Sequence, residues 1–538
     1  MNSRTTKIIV NNIKLPISAS FKEAFSVALK RLSKAGINAG EENLKIYRRS
    51  VDARNKSDVK YVYSVSCNLG FTPSAKKLES AGAVLLNEGG ISPIFGKESL
   101  EGSPIVVGSG PCGLFAALIL AEYGYLPILI ERGGSVEERR RAIDRLKKFR
   151  ILDTETNIQF GAGGAGTFSD GKLVTRVNDP LVGYVLERFV EFGAPEEIKY
   201  IAKPHIGTDI LAKVVDNMLD YITDKGGKVY FNTKFLSASY KNGKIASVKT
   251  SAGDFPCGAL ILATGHSARD TYESLIAEGL PIVAKDFSVG MRIEHKTEDI
   301  DRSMYGDFAG YPGLGHAEYA LSHNTKERGA YTFCMCPGGE VVAAASEEGG
   351  LVVNGMSENA RSGENSNSAV VVSVRKDDYG DSPLSAIEFQ RKIERAAFVQ
   401  GGSDYTAPII TVGDMLSGDL KTEPKRIIPT YMSGAVRLAR PEKYLPSFVC
   451  DGIESAVQAF DKKIAGFAVG DAVLTGAETR TSSPIRILRD ADTHKAVGYS
   501  NLFPAGEGAG YAGGITSASI DGIKTALCLM REYSPIKD

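Results

Sequence analysis

Residues 105–131 read IVVGSGPCGLFAALILAEYGYLPILIE, and this stretch decides the fold. An apolar strand at 105–107 leads into a helix, and a second apolar strand at 128–130 ends at Glu131, 21 positions after Gly110. Between the first strand and the helix, three glycines form the pattern G-x-G-x-x-G: Gly108, Gly110 and Gly113. Strand, glycine turn, helix, strand and terminal acid in this order predict a dinucleotide-binding βαβ unit. The alternative is a glycine-rich turn that binds no ligand.

Each glycine of this pattern has a physical purpose. Gly108 allows a tight turn, Gly110 lets the backbone approach a pyrophosphate, and Gly113 lets the helix pack closely on the sheet. The helix N-terminus offers unpaired N–H groups and partial positive charge to phosphates, while Glu131 is placed to accept hydrogen bonds from ribose hydroxyls. The residues of this unit that we expect to contact the dinucleotide are Gly108, Gly110, Pro111, Gly113, Glu131 and Arg132.

The composition is that of a globular protein without a global charge preference. Hydrophobic residues make up 43% and charged residues 24%, which are ordinary values for a folded chain. Basic and acidic residues number 64 each, so no overall attraction draws the chain to nucleic acid or to an anionic membrane. The seven cysteines form no C-x-x-C motif, which indicates a reducing compartment, and we expect a cytoplasmic protein. Glycines and prolines interrupt the apolar stretch at 105–130, so we expect no membrane span.

The pattern along the chain predicts an α/β protein of three domains. Residues 1–98 are typical of a small α+β, ferredoxin-like domain. Strand–helix alternation resumes after a Gly/Pro/Ser-rich linker and predicts a Rossmann-like domain at 99–285, completed by 490–538. The turn-rich segment 286–489 is predicted to be an inserted α+β domain that caps the nucleotide site and defines the substrate.

Three further segments indicate that the dinucleotide is FAD. One is an apolar strand that ends in A-T-G, at 259–265; the second is a strand followed by Gly-Glu-Gly and more glycines, at 502–514; the third is the loop GAGGAGTFS, at 161–169. The positions in these segments that we expect to contact FAD are Gly163, Gly164, Gly166, Thr167, Ser169, Ala263, Thr264, Gly265, Gly506, Glu507, Gly513, Gly514 and Ile515.

Together these segments resemble FAD-binding oxidoreductases, the superfamily of glutathione reductase and the aromatic hydroxylases. More narrowly, the chain resembles a bacterial family known as FAD-dependent dehydrogenases or NAD(P)/FAD-dependent oxidoreductases. The segments that carry the narrower resemblance are FGAGGAGTFSDGKL (160–173), ATGHSARDTYE (263–273), FSVGMRIEH (287–295), YTFCMCPGG (331–339), TRTSSPIRILRD (479–490) and FPAGEGAGYAGGITSASIDGIK (503–524).

The resemblance implies a place for each segment around the cofactor. The loop 161–169 would lie along the flavin, Gly265 would sit near it, and Glu507 would approach the ribitol or the pyrophosphate. The helix that starts near Gly514 would aim its N-terminus at the flavin N1–C2=O edge, where a helix dipole stabilises negative charge. The wider superfamily usually has Asp where Glu507 stands, which leaves the hydrogen bond of this residue open.

The sequence lacks the features of a disulfide reductase with a resident nicotinamide domain. It contains no second complete G-x-G-x-x-G unit, and neither C-x-x-C nor C-x-x-x-x-C occurs as a redox motif. A nicotinamide donor, NADH or NADPH, would therefore bind transiently at the flavin. Because H-E-x-x-H and G-x-S-x-G are also absent, we expect neither a metal site nor a nucleophilic triad.

Three side chains are the candidates for catalysis: His266, Arg480 and Arg486. His266 follows the A-T-G segment and is placed for proton transfer, whereas the alternative is a strand-end residue that contacts backbone. The two arginines would hold a small anionic substrate, such as a carboxylate or phosphate, the alternative being surface ion pairs. Cys334 and Cys336 are two apart and would share one face of a strand, either as a redox or substrate-contacting pair or as small core residues.

We expect an enzyme, an FAD-dependent oxidoreductase that moves two electrons through flavin N5. One alternative is a flavoprotein of the RNA-modifying type that uses the basic segment 45–60, although the net charge of zero argues against nucleic acid as a partner. Another alternative is a flavin redox sensor without turnover. The substrate and the oligomeric state do not follow from the sequence.

Overall fold

A computed structural model of the chain describes residues 6–87, 89–175, 177–241 and 244–536. The fold is mixed α/β, with parallel and antiparallel sheets. The chain divides into two compact units, each assembled from three segments. The first unit comprises Met1–Ile91, Arg176–His205 and Asp301–Ala317. The second comprises Ser92–Thr175, Ile206–Ile300 and Glu318–Asp538.

The chain contains 14 α-helices and 23 strands among the residues that the structure describes. The helices are α1 Phe21–Lys34, α2 Ala75–Ala81, α3 Pro111–Glu122, α4 Val136–Phe149, α5 Gly164–Thr167, α6 Leu181–Glu191, α7 Thr208–Asp224, α8 Arg269–Ala277, α9 Thr297–Tyr305, α10 Lys376–Tyr379, α11 Pro383–Gly401, α12 Val412–Ser417, α13 Ser447–Asp461 and α14 Ile515–Glu532. The strands are β1 Thr6–Pro16, β2 Leu44–Asp52, β3 Lys60–Leu69, β4 Ala83–Leu85, β5 Pro104–Val107, β6 Ile128–Ile130, β7 Lys228–Tyr230, β8 Phe235–Lys241, β9 Lys244–Thr250, β10 Gly253–Pro256, β11 Ala259–Leu262, β12 Ile282–Ala284, β13 Phe287–Lys296, β14 Ser322–Asn324, β15 Gly329–Cys336, β16 Glu340–Ala343, β17 Val353–Met356, β18 Asn365–Val374, β19 Ala407–Thr411, β20 Val436–Leu438, β21 Val473–Glu478, β22 Ile485–Ile487 and β23 Leu502–Pro504.

The first unit contains a four-stranded antiparallel sheet in the order β2-β3-β1-β4. Helix α1 begins after Ser20, which forms a capping box with Glu23, and its apolar side buries Ala24, Ala28 and Leu32. In β3 the alternate positions Tyr61, Tyr63 and Val65 are buried, as strand periodicity requires for a sheet with one covered face. The element order of this region is β-α-β-β-α-β.

A five-stranded parallel sheet organises the second unit, in the order β23-β11-β5-β6-β7. Helix α3 connects β5 to β6, as residues 105–131 predict, and it is buried over almost its whole length. Because parallel strands covered on both faces are continuously apolar, β5 and β11 have every residue buried. The antiparallel strands β8, β9 and β10 contribute to the core on the side of Ile105 and Val107.

Helices α3 and α14 pack against each other through a glycine contact. A Cβ at Gly522 of α14 would lie 2.1 Å from the carbonyl oxygen of Cys112 in α3, so only glycine permits this approach. Helix α14 is therefore held against the first turn of α3. The glycines that precede or begin the two helices, Gly113 and Gly513, are 400 residues apart in the sequence.

A seven-stranded sheet in the order β14-β15-β18-β13-β21-β19-β20 forms the other large sheet of the second unit. Its pairs are antiparallel except for β19 and β20. Strand β13 lies near the middle and has nine consecutive buried residues. The sequence predicted residues 286–489 only as mixed and turn-rich, because a strand buried on both faces shows no alternation.

Residues 105–130 divide into β5, α3 and β6. Within the part of the chain that the structure describes, no helix has the length and apolar character needed to cross a membrane.

Candidate functional site

A cavity of about 300 Å³ opens at the carboxyl ends of the parallel strands of the second unit. The residues that follow these strands line it: Gly108 after β5, Glu131 after β6, Thr233 after β7, Ala263 after β11 and Glu507 after β23. Ligands of open parallel α/β sheets bind at this edge, because all strands deliver their following loops to it.

The glycine turn after β5 forms one wall of the cavity. Gly108 adopts φ +97°, and a Cβ at Gly113 would lie 1.8 Å from the Gly108 carbonyl oxygen. Gly110 is the N-cap of α3, and a Cβ built on it would meet only Gly164 Cα, at 3.9 Å. A side chain at Gly110 would therefore project into the cavity, whereas a side chain at Gly113 would push α3 away from the strand end.

The Glu131 carboxylate is held by the protein itself. One oxygen accepts hydrogen bonds from the backbone N–H and the hydroxyl of Ser109, both at 2.8 Å. The other accepts from the N–H groups of Gly133, at 3.0 Å, and Gly161, at 2.9 Å. A carboxylate has about four acceptor positions, so all of them are used. Among these donors, only the Ser109 hydroxyl can rotate away and leave a position for a ribose hydroxyl.

Arg132 lies at the cavity edge in an ion-pair cluster. Its guanidinium contacts the Asp270 carboxylate through two nitrogens, at 2.9 and 3.0 Å, and the Glu155 carboxylate at 2.7 Å. The same group stacks over the Phe160 ring, 4.1 Å from the centroid. Because all these contacts are made within the chain, Arg132 shapes the cavity wall and has its charge already neutralised.

The second glycine loop joins the first one. Gly163 is the N-cap of the short helix α5 and adopts φ +78°, and a Cβ at Gly164 would lie 2.8 Å from Gly110 Cα. The Thr167 hydroxyl donates to the Ala162 carbonyl at 3.2 Å, and the Ser169 hydroxyl to the Gly166 carbonyl at 2.7 Å. The two glycine-bearing backbones are therefore packed closely together. Both line the cavity, and the strip of wall without side chains that they form is the glycine trough.

The turn after β11 and the N-terminus of α14 complete the glycine lining. A Cβ at Gly265, Gly513 or Gly514 would meet nothing within 4 Å. Gly514 is the N-cap of α14, which starts at Ile515 as predicted, and both residues line the cavity. The N-termini of α3 and α14 thus meet open space at the same cavity, where unpaired N–H groups favour anionic ligands.

His266 lines the cavity as a neutral imidazole. Its Nδ1 lies 3.0 Å from the Ser267 hydroxyl. Burial, reinforced by the positive charges of Arg480 and Arg269, lowers the pKa of His266 to about 3. The imidazole can therefore give or accept a hydrogen bond at neutral pH, but it carries no extra proton to release.

Arg480 lines the cavity but is bound into a buried ion cluster. Its Nη2 and Nε contact the Glu394 carboxylate, at 3.0 and 3.2 Å, and Nη1 donates to the Ser346 hydroxyl. Arg269 contacts the same carboxylate through two nitrogens, at 2.7 and 2.8 Å. The two cations hold the pKa of Glu394 well below its usual range, against the effect of burial. Arg480 therefore stabilises the cavity wall, and its Nε, Nη1 and Nη2 atoms already donate hydrogen bonds within the chain.

Arg486 lies outside the residues that line this cavity in the described part of the chain. It is on β22, and its Nε and Nη2 donate to the Gly510 carbonyl at 3.3 and 3.1 Å. The structure thus separates the two arginines that the sequence grouped as substrate ligands, because β22 turns Arg486 toward the backbone of the segment before α14.

Cys334 and Cys336 do not share one face of β15, contrary to the prediction. The pairing of β15 with β18 shifts between Phe333 and Cys336, and Cys334 adopts φ +44°. This β-bulge breaks the two-residue alternation. As a result Cys334 lines the cavity, whereas Cys336 is fully buried.

Glu507 is an acidic residue of the cavity with a raised pKa. Burial raises the pKa of Glu507 to about 7, while Lys285 acts in the opposite direction and Cys334 adds to the rise. A carboxyl group with this pKa is partly protonated at neutral pH. It is placed after β23, where it can hold or release a proton inside the cavity.

Most of the predicted contact residues line the cavity, and a few support it from behind. The supporting positions are Gly113, Gly163, Thr167 and Gly506, each packed against backbone or a neighbouring side chain. The lining residues that the sequence reasoning missed include Gln159, Thr233, Lys234, Ser267, Asn354 and Glu478. Thr233 and Lys234 could have been found from the rule that residues after parallel strands meet at one edge. No metal-binding group of three or more His, Cys, Asp or Glu side chains occurs within residues 6–536 as described.

The parallel sheet with a G-x-G-x-x-G turn and a glycine-lined cavity at its carboxyl edge is consistent with a dinucleotide-binding fold of the mixed α/β class. The chain is 44% identical over 541 residues to an "Uncharacterized protein" of Clostridium beijerinckii (strain ATCC 51743 / NCIMB 8052), covering 98% of this chain and 99% of that one. It belongs to the family of this protein.

Two family models match parts of the chain. Residues 286–481 match "FAD-dependent protein, C-terminal domain-like". Residues 7–68 match a domain of unknown function, DUF8436.

Solved structures show only distant likeness. Glycine oxidase from Geobacillus kaustophilus is 11% identical, with 81% of this chain and 96% of that one covered and a TM-score of 0.35. Iminodiacetate oxidase from Chelativorans sp. BNC1 is 12% identical, with 80% and 96% covered and a TM-score of 0.35. L-proline dehydrogenase from P. horikoshii is 12% identical, with 80% and 92% covered and a TM-score of 0.31. TM-scores this low do not establish a common fold.

Proposed function

We propose that the protein is an FAD-dependent oxidoreductase whose cofactor lies in the cavity at the carboxyl edge of the parallel sheet. The observation that carries the proposal is the lining itself. Among the described residues, seven glycines line the cavity together with two helix N-termini: Gly108, Gly110, Gly164, Gly166, Gly265, Gly513 and Gly514. The match of residues 286–481 to a family described as FAD-dependent supports the choice of FAD over another dinucleotide.

The phosphates would lie at the trough between Gly110 and Gly164. Both backbones approach without side chains, and the first turn of α3 supplies N–H donors and positive potential. Glu131 would hold this trough in shape through Ser109 and Gly161, and the Ser109 hydroxyl would share the carboxylate with the adenosine ribose. The adenosine half would therefore lie toward β6.

The flavin ring would lie toward α14. Gly513 and Gly514 leave room at the helix N-terminus, and the helix dipole would stabilise negative charge on the N1–C2=O edge of the ring. Bound FAD supplies two-electron transfer through its N5 atom. The side chains left around that end, among them Lys172, Cys334 and Glu507, would bind and orient the substrate.

His266 and Glu507 would divide the proton chemistry of the site. The imidazole is neutral, so it would orient a substrate through a hydrogen bond. The Glu507 carboxyl, with its pKa raised to about 7 by burial, would exchange a proton with the substrate. A small anionic substrate remains our proposal. Lys172 pairs with Asp170 and donates to the Met335 carbonyl, so its third N–H would be the cationic contact, in place of Arg480 and Arg486.

The test is the visible spectrum and the flavin content of the purified chain. The proposal predicts the bands of oxidised flavin, close to one FAD per chain, and bleaching when NADH or NADPH is the donor. The variant Gly110→Val should lose the flavin and still fold, because its side chain would enter open space. A Gly110→Val protein that retains full flavin would contradict the placement of the phosphates.

Gly183→Val is the matched control for this substitution. Gly183 lies on α6, where a Cβ would also meet nothing within 4 Å, but it is not among the residues that line the cavity. Its flavin content should equal that of the wild-type protein. Loss of flavin in both variants would show a general effect of glycine replacement and would remove the support for the trough.

A further inference from the structure

Arg139, on helix α4, is a buried cation without an acidic partner. Among the described residues five arginines are buried, and four of them pair with a carboxylate. These four are Arg269, Arg292, Arg361 and Arg480. Arg139 is 0% exposed and forms no ion pair within the described part of the chain. Because a buried charge without a counter-charge is costly, Arg139 would stabilise an anion bound nearby.

The Arg139 guanidinium binds main-chain oxygens in and just before the second glycine loop. Its Nε donates to the Asn157 carbonyl at 3.1 Å, and its Nη2 donates to the Ile158 carbonyl at 2.7 Å. Its Nη1 donates to the carbonyls of Ala162 and Gly164, the latter at 2.9 Å. All four acceptors are neutral, so they satisfy the N–H groups of the guanidinium but do not cancel its charge.

These hydrogen bonds turn carbonyl oxygens away from the cavity. Arg139 is not among the residues that line the cavity, whereas Gly164 and Ala165 are, so a carbonyl that faces the guanidinium faces away from the bound ligand. The loop needs such an anchor because Gly161, Gly163 and Gly164 all have positive φ and are free to adopt other conformations. Without Arg139, a rotated peptide group could direct its oxygen into the glycine trough, where it would repel a phosphate.

Glu131 holds the same loop through the opposite kind of group. Its carboxylate accepts from the Gly161 N–H at 2.9 Å, and Arg139 donates to the carbonyl of the next residue, Ala162. A Cβ at Gly161 would lie 2.3 Å from the Arg139 Cδ, so only glycine leaves room for this side chain. An acid and a base therefore fix the loop through its backbone and form no ion pair with each other.

We propose that Arg139 is a positioning residue for the phosphates of a dinucleotide. It keeps carbonyl oxygens out of the glycine trough, and a diphosphate bound on the other side of the loop backbone balances its charge. This inference rests on the proposed function, which places the FAD phosphates in the trough. The flavin ring takes no part in this interaction, so ADP, which carries a diphosphate, is a sufficient probe.

The experiment measures ADP and adenosine binding to the full-length, flavin-free protein by titration calorimetry. The readout is the ratio of the two affinities, because a general loosening of the loop would weaken both ligands, whereas a lost phosphate contact weakens ADP selectively. In Arg139→Gln this ratio should fall roughly ten- to a hundredfold, the effect of a unit charge acting through the loop backbone. Arg139→Lys keeps the charge but has three N–H groups for four carbonyls, so its ratio should lie between those of wild type and Arg139→Gln.

Arg141→Gln is the matched control on the same helix. The Arg141 side chain is 74% exposed and pairs with Glu137, so its replacement should leave the ratio unchanged. A wild-type ratio in Arg139→Gln or in Arg139→Lys would overturn the inference, and so would equal affinities of the wild-type protein for ADP and adenosine. A wild-type protein that takes up no FAD would instead refute the proposed function, whatever the ratio.

Discussion

Replacing Glu131 tests whether the cofactor trough is built by the protein or by the ligand. The carboxylate accepts from three backbone N–H groups, those of Ser109, Gly133 and Gly161, and from one hydroxyl. Each buried donor that loses its partner costs ~1–3 kcal/mol, so Glu131→Ala orphans groups worth ~3–9 kcal/mol. Water can enter from the cavity and hydrogen-bond to some of these donors, so we expect a destabilisation of the loops at the lower end of this range, ~3 kcal/mol. This corresponds to a roughly hundredfold increase in the equilibrium constant for local opening.

The assay is amide hydrogen exchange on flavin-free protein. In Glu131→Ala the amides of Ser109, Gly133 and Gly161 should exchange up to roughly a hundredfold faster than in the wild type, because the three loops lose their common acceptor. The control is Glu155→Ala, which removes a partly exposed partner of Arg132 and should leave these amides protected. Unchanged exchange together with weaker FAD binding would refute the reasoning, since the carboxylate would then serve the ligand and not the loops.

Three further predictions follow from the same cavity. Gly513→Asp should lower the flavin reduction potential, measured by redox titration, while the neutral Gly513→Asn should not; Gly513 is chosen because Gly514 has φ +118° and would be strained by any side chain. Between pH 4.5 and about 7 the unfolded chain has lost the Glu507 proton, whereas the folded chain keeps it. The free energy of unfolding should therefore fall as the pH rises through this window. In urea unfolding, Glu507→Gln should abolish that part of the pH dependence. Deleting residues 501–538 should abolish flavin binding and solubility, because β23 pairs with β11 and α14 packs on α3, whereas deleting only 537–538 should preserve both; a soluble, yellow truncated protein would contradict the topology.

The βαβ unit of the parallel sheet could be predicted because its signals are local. Strand, glycine turn, helix and acid all lie within 105–131, and the structure has β5, α3 and β6 in these positions. The glycines near the C-terminus were recognisable for the same reason. Each of these glycines has either open space where a Cβ would lie or a positive φ that other residues rarely adopt. A single glycine in the sequence is enough to indicate such a position.

The surroundings of the cavity could not be predicted because they depend on pairings between distant strands. The bulge that turns Cys334 into the cavity exists only in the register of β15 with β18. Likewise, the sequence could not show that Glu394 lies between Arg269 and Arg480. Glu394 lies on α11, Arg269 on α8 and Arg480 in the loop after β21, so the contact depends on the tertiary fold. Arg480 thus keeps its place at the cavity but not the role of a free substrate ligand.

The cavity is lined both by glycine backbone and by side chains, and the two kinds of lining contribute differently to specificity. Glycines and helix N-termini recognise phosphate and backbone-sized groups, and they cannot distinguish one substrate from another. Discrimination therefore falls to side chains that line the cavity, among them Lys172, Cys334, Asn354, Glu478 and Glu507. Three of these lie within residues 286–481, the region that matches a family model of its own. Chains that share the glycine trough but differ at these positions should bind the same cofactor and act on different substrates.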